Sequence, residues 1–351
     1  MARIGSNPAK RRRIVADTYY HRVAVPIHIP NLADPYFKNA LEILEISLAT
    51  LVKTVHEKTR ISIILDASCG EVVSFIRNFA LSHSVIDQVF ESSRKIGKVN
   101  ALQSVIKSNS ETLITLADAD VLFIPGWQGE VEKVFKSVPV AGMVSPARVT
   151  GERFWLSELA SSTIWYGLIN GFLRFEGLDG TDGFSVDESS QSQGDKVGCQ
   201  DSSRTQSLTI HQRGCRAVVG CSHFVVTVRA EIFEYSPNIP CALGFNGAEL
   251  PFYDNPNNDN GFLRLSTYRN FAFHMGNRTE EWMYEELSRI CQSPFEEKPV
   301  ESTALDNSAK MRKPSVFLGK VLNRLLKKFK FFRKTLLTIS KSKAYLKIDT
   351  A

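Results

Sequence analysis

The chain has 351 residues, 43% of them apolar and 23% charged, an ordinary balance for a globular protein with a sizeable core. No run of eighteen uncharged apolar residues occurs, which excludes a membrane-spanning helix, and no apolar stretch follows the basic start, so a secretory signal is not expected. The net charge of +6 is uneven: residues 310–348 carry thirteen Lys or Arg and no Asp or Glu, and the rest carries thirty basic against thirty-seven acidic residues, a mildly acidic body with a basic tail.

Residues 1–20 read as a flexible basic lead-in. HRVAVPIHI (21–29) predicts a short buried strand. Asp34-Pro35 marks a helix start, and behind it Phe37, Leu41, Leu44, Leu48, Leu51 and Val55 recur at helical spacing. ISIILDAS (61–68) predicts a strand, 71–82 a helix, GKVNALQSVIKS (97–108) another helix, and TLITLADADVLF (112–123) a second buried strand. Residues 176–207, rich in Gly, Ser, Asp and Gln, read as a long loop or insertion. Residues 215–233 are strand-rich, 246–261 polar and turn-rich, and RNFAFHMGN (269–277) sets a His after an apolar run. Residues 291–313 read as a linker. The six cysteines show no zinc-knuckle spacing and are expected as reduced thiols in a cytoplasmic protein.

Strand and helix alternate over the first hundred ordered residues, which argues for an α/β fold with a mostly parallel twisted sheet flanked by helices. Ligands of such sheets bind beyond the carboxyl ends of the strands. Two apolar strands end there in acid: Asp66 after Ile63-Ile64-Leu65, and Asp118 with Asp120 after Ile114-Thr115-Leu116. Mg²⁺ takes one or two protein carboxylates together with substrate phosphates, so an Asp-x-Asp pair at that edge suits a metal-bound diphosphate. The bland alternative is a solvated loop or a helix cap, and Asp66 in particular could cap the helix near Glu71.

These segments resemble the family 2 glycosyltransferases with the GT-A fold. VAVPIHIPN is similar to that family's first strand, IILDAS to its Asp-Asp-Gly-Ser segment with Asp66 at the second Asp, GKVNALQSVI to its Gly-Lys-x-x-Ala-Leu-Asn helix start, and LADADV to its Asp-x-Asp strand end. The resemblance spans 21–135 well and 215–285 more loosely, within a GT-A domain expected over 21–290. It implies that Pro26, His28 and Asp66 line the nucleobase, that Lys98 faces the anionic part of the nucleotide, that Asp118 faces the ribose, and that Asp120 binds the metal. GFNGAELPFYDN resembles the segment that supplies the catalytic base in inverting members, with Glu249 as first choice and Asp254 as second; Leu250 stands where that family has Asp. His274 resembles a third metal ligand. Neutral imidazole suits Mn²⁺ better than Mg²⁺.

The implied function is metal-dependent transfer from a nucleotide-sugar donor to a glycan or lipid-linked acceptor, with Mn²⁺ or Mg²⁺ as cofactor and surface polysaccharide as product. The alternatives are a non-catalytic nucleotide- or glycan-binding protein and a nucleotidyltransferase. The latter wants a Gly-rich phosphate loop, and residues 26–37 hold no glycine. Trp127 and Trp155 are expected in packing, with sugar stacking as the alternative. In the tail (314–346), Leu318, Leu322, Leu325, Phe329, Phe332 and Leu336 form a stripe within a basic amphipathic helix over 316–337. Such a helix suits an anionic membrane surface on the inner face of the membrane; the alternatives are packing on the acidic body or on a partner subunit. The Leu and Phe stripe argues against nucleic acid.

Overall fold

The structure, a computed structural model, describes Gly5 and residues 19–178, 206–242, 248–299 and 308–345. Most of the lead-in and of the 176–207 segment, Cys199 and residues 300–307 of the linker lie outside them.

Strands β1 (His21–Ile27), β2 (Thr59–Asp66), β3 (Ile86–Ser92) and β4 (Leu113–Ala117) are all parallel, in the order β3-β2-β1-β4. The sheet continues through β10 (Val225–Arg229), β6 (Ala141–Ser145), β11 (Leu263–Thr267), β9 (Cys215–Val219), β8 (Gln206–Gln212) and β7 (Leu173–Gly177). Seven of these ten strands run in one direction, and only β7, β9 and β10 oppose them. The chain builds outward from β1 to β3 and then returns to place β4 on the other side of β1. That reversal opens a crevice at the carboxyl ends of β1 and β4.

The period of two in β1 explains its burial on both faces. Val23, Val25 and Ile27 pack with Leu44, Leu48 and Leu51 of α1 (Ala40–Thr54), Val72 and Ile76 of α2 (Gly70–Ser82), and Trp127, Val131 and Phe135 of α4 (Trp127–Ser137). Ala24 faces the other way, toward Val99, Leu102 and Val105 of α3 (Lys98–Ser108). Trp127 and Trp155 are fully buried, so both are packing residues and neither is a sugar platform.

Three expected elements are redrawn. Helix α1 begins at Ala40 rather than Pro35; Asp34 instead closes a separate turn, accepting from the Tyr36 amide at 2.8 Å. The 112–123 run does not stay one strand. It leaves the main sheet after Ala117 and resumes as β5 (Val121–Phe123), which pairs antiparallel with β12 (Ala272–His274) in a separate two-stranded sheet. The basic tail is two helices, α9 (Lys313–Lys328) and α10 (Lys330–Tyr345), broken at Phe329, whose backbone is extended. Their inward face is Val316, Gly319, Asn323, Leu326 and Leu336; of the expected stripe Leu336 is buried and Leu322 packs partly on the core, while Leu318, Phe329 and Phe332 are exposed. It packs on α6 (Ser161–Ile169) and β7. A Cβ at Gly319 would lie 2.9 Å from the Ser161 carbonyl oxygen, so close approach requires glycine there.

Candidate functional site

The crevice gathers most of the residues singled out from the sequence. After Ala117 the Asp118 amide donates to the Phe224 carbonyl at 2.8 Å, which holds the end of β4 against the start of β10. Two residues on, the β5–β12 pair sets Val121 opposite His274, and the Met275 amide donates to the Asp120 carbonyl at 2.8 Å. This small sheet brings His274 Nε2 to 3.1 Å from Asp120 Oδ2. Asp118, Asp120 and His274 each offer a ligand atom within 4.8 Å of the other two, and all three are partly exposed. Two carboxylates and an imidazole at that spacing are a donor set that fits Mn²⁺ and, less well, Mg²⁺.

Beside the cluster, Lys98 Nζ lies 2.5 Å from Asp118 Oδ1 and 3.5 Å from Glu249 Oε1. Burial disfavours the Lys98 charge, but the two carboxylates outweigh it and hold the ammonium above its ordinary value. Burial pushes the Asp118 carboxyl up, Lys98 pulls it back, and the charge of Asp120 pushes it up further.

Asp66 does not cap α2, whose N-terminal cap is Cys69. Its two carboxylate oxygens accept from the amides of Ile96 and Gly97 at 2.7 and 2.9 Å, at the start of α3. Gly97 has φ +85°, a conformation that favours glycine and sets the turn into Lys98. With its carboxylate taken up in this way and only 3% exposed, Asp66 holds the Lys98 helix in place rather than offering itself to a base. His28 Nδ1 donates to the Asp66 carbonyl at 2.6 Å, which fixes the ring with its Nε2 away from that bond. Pro26 and His28 are both partly exposed at the end of β1.

The two candidate bases differ sharply. Residues 244–247 of the GFNGAE segment lie outside the described residues. Glu249 is partly exposed and borders Lys98. Asp254 is fully buried, with Oδ1 3.0 Å from Arg264 and Oδ2 3.1 Å from His223 Nε2. Burial opposes its charge, yet Arg264 and His223 outweigh burial and hold the carboxyl below its ordinary value. Asp254 is buried and paired with Arg264 and His223, as an anchoring carboxylate is, whereas Glu249 is the candidate open to an acceptor hydroxyl. His223 and Arg264 were not singled out from the sequence. Neither sits in a short motif, and only the fold brings the β9–β10 connection and β11 to Asp254.

A second cluster of possible ligands among the described residues, His21, His56 and Glu132, is fully buried. It is a hydrogen-bonded hub. Glu132 accepts from Tyr20 at 2.9 Å and contacts His21 Nδ1 and His56 Nε2 at 2.8 Å each. The Lys58 amide donates to His56 Nδ1, so the proton of neutral His56 sits on Nε2, which therefore donates to Glu132 and has no lone pair for a metal. Burial opposes the Glu132 charge, but the His21 and His56 hydrogen bonds hold its carboxyl down at about 2.

No protein-family profile matches the chain, and no curated protein matches it. Among solved structures it is similar to GalNAc-T7 with UDP, GalNAc and Mn²⁺, at TM-score 0.45 and 12% identity over 79% of this chain and 48% of that one. It is also similar to the mannosyltransferase PcManGT from Pyrobaculum calidifontis in complex with GDP-Man and Mn²⁺, at TM-score 0.43 and 12% identity over 97% and 92%. A third is TarS 1–349 from S. aureus, at TM-score 0.42 and 9% identity over 87% and 71%. The chain thus spans about half the length of GalNAc-T7. Likeness at this level assigns no activity, which leaves the assignment to the site's own chemistry.

Proposed function

We propose that the chain is a metal-dependent glycosyltransferase of the GT-A type. It moves a sugar from a nucleoside-diphosphate donor to a hydroxyl of a glycan or lipid-linked acceptor in surface polysaccharide assembly, with inversion. The observation that carries this reading is the Asp118–Asp120–His274 donor set at the carboxyl edge of a parallel sheet, bordered by Lys98 and Glu249.

Asp120 and His274 would hold Mn²⁺ or Mg²⁺, with Asp118 shared between the ion and a ribose hydroxyl. The chemistry such an ion supplies when bound is neutralisation of the diphosphate, which makes it a better leaving group. The chain's own groups do the rest. Pro26 and His28 wall the nucleobase. Asp66 fixes the Ile96–Gly97 turn and thereby the position of Lys98, whose ammonium and helix start both favour the anionic nucleotide. Glu249 takes the acceptor's hydroxyl proton as the new bond to the anomeric carbon forms and the bond to the diphosphate breaks. A binding-only role draws its motive from Leu250 standing where an acid is expected; the neighbouring Glu249, within reach of the site, answers it.

The test is thermal unfolding with UDP, GDP, CMP and dTDP, with and without Mn²⁺, on wild type and Asp120→Ala. A nucleotide at a hundred times its dissociation constant stabilises by about 2.7 kcal/mol. Stabilisation by one nucleotide that needs Mn²⁺ and disappears in Asp120→Ala is expected. Four nucleotides without effect in the presence of Mn²⁺ would sink the reading.

A further inference from the structure

The outward side of the basic tail has a construction that burial within this chain does not explain. Seventeen large apolar side chains are exposed among the described residues, and seven of them fall between 317 and 339, so exposure is concentrated there. At the corner between α9 and α10 three rings meet: Phe329 and Phe332 have centroids 6.0 Å apart, and Phe331 and Phe332 5.9 Å. They are 43%, 38% and 73% exposed respectively. Phe317, Leu318 and Val321 of α9 are exposed as well, on the side away from the buried Val316, Gly319, Asn323 and Leu326. Lys327, Lys328, Lys330 and Lys334, all exposed, flank the three rings in sequence, and Lys328 Nζ lies 5.5 Å from the Phe329 ring centroid. No acidic residue occurs between 310 and 348.

The inward face is firmly held. Asn323 donates to the Leu156 and Ser157 carbonyls at 3.4 and 3.0 Å, and Arg333 lies 3.3 Å from Glu152. The tail is therefore a fixed part of the body with a second, outward face, and its aromatic corner does not have to unfold to reach a partner.

We propose that this corner docks the protein on an anionic lipid bilayer, with Phe331, Phe332 and Phe329 entering the interfacial region and the lysines meeting lipid phosphates. Charge complementarity fixes the choice of occupant. A second copy meeting this one tail to tail would set one basic face against another, and its acidic body offers charge but no apolar layer, whereas an anionic bilayer offers both the negative charge and an apolar layer for the rings. The same helix also walls a cleft. Lys327 lines it with Arg153, Glu158 and Leu250, and Leu250 follows Glu249 directly. Docking at the corner thus sets that cleft next to the lipid surface, where a lipid-linked acceptor enters. This last point rests on the transfer reading; the docking does not.

The experiment is co-sedimentation of the full chain with phosphatidylcholine vesicles, with and without phosphatidylglycerol, at low and high salt. Binding to the anionic vesicles only, weakened by salt, is expected. Phe331→Ser with Phe332→Ser lowers partitioning about tenfold per ring. Lys328→Gln with Lys330→Gln lowers it about fivefold per lysine on anionic vesicles. The lysine variant keeps the wild-type unfolding temperature, and the Phe variant stays folded at the assay temperature, which thermal unfolding checks. A chain that stays in the supernatant with anionic vesicles overturns the proposal, as does binding that neither variant weakens. So does a dimer that the Phe variant disperses without any lipid binding, or a preference for an oligonucleotide over the vesicles. Nucleotide and Mn²⁺ stabilisation is measured without vesicles, so failure of the transfer reading and failure of docking register separately.

Discussion

Replacing Asp254 by Asn separates an anchor from a base. The substitution keeps the side chain's shape and removes its charge. Arg264, 5% exposed at its side chain and 3.0 Å from Asp254 Oδ1, is then left without its counter-ion. Breaking a buried ion pair by removing one partner costs about 3–5 kcal/mol. An unfolding entropy of roughly 2.1 cal/mol/K per residue gives about 0.7 kcal/mol/K for 351 residues, and hence a fall in Tm of about 4–7 °C. The pH dependence has a definite sign. The folded carboxyl lies below its ordinary value, so the stability it adds is complete above that ordinary value and is lost as pH falls through the folded one. The gap between wild type and Asp254→Asn therefore closes in acid. Calorimetry across that range measures the gap, and turnover is assayed well below both transitions. A Tm unchanged to within about a degree, with turnover reduced as far as by losing the true base, would refute the anchor role and return Asp254 to the chemistry.

Glu249→Gln is expected to lower kcat by about 10²–10⁴ while nucleotide stabilisation and Tm stay at wild-type values; steady-state kinetics beside thermal shift decide it, and a change confined to KM would remove Glu249 as base. Glu132 is held at about 2 against an ordinary 4.5, which at 1.36 kcal/mol per unit is roughly 3 kcal/mol of stability. That stability is present above pH 4.5 and is lost as pH falls from 4.5 toward 2. Urea midpoints of wild type and Glu132→Gln should therefore converge over that window, and a constant gap would contradict the hub. His274→Ala should abolish Mn²⁺-dependent nucleotide stabilisation while leaving the unliganded Tm within a degree or so; stabilisation that survives would remove the imidazole from the donor set.

The parallel half of the sheet was legible because both faces of β1, β2 and β4 are buried, and a short, nearly continuous apolar run is the sequence trace of that burial. The same trace misled at 112–123. Apolar character continues through Val121-Leu122-Phe123, and nothing local tells that these residues serve a different sheet, since the deciding partner lies at Ala272–His274. The site shows the same division. Asp118, Asp120 and Lys98 stand at element ends, where helical or strand periodicity stops, and could be read there. The His223–Asp254–Arg264 group joins the β9–β10 connection to two neighbouring segments thirty to forty residues later and has no local period to betray it. In the tail, periodicity found an amphipathic segment but placed only part of its inward face, Leu322 and Leu336, correctly. Two apolar faces compete there, and only packing against α6 and β7 decides which is inward.

The two-stranded β5–β12 sheet bears on how the protein is made. Its strands come from early and late in the sequence, and the imidazole reaches the acid pair only once both are paired. During synthesis the parallel half can settle while Asp118 and Asp120 still lack their companion. Asp118, Asp120 and His274 can come together only after the segment around His274 has been synthesised. A chain cut short before that point would keep two carboxylates at a sheet edge without His274, so on the proposed reading its Mn²⁺ affinity would fall below that of the full chain.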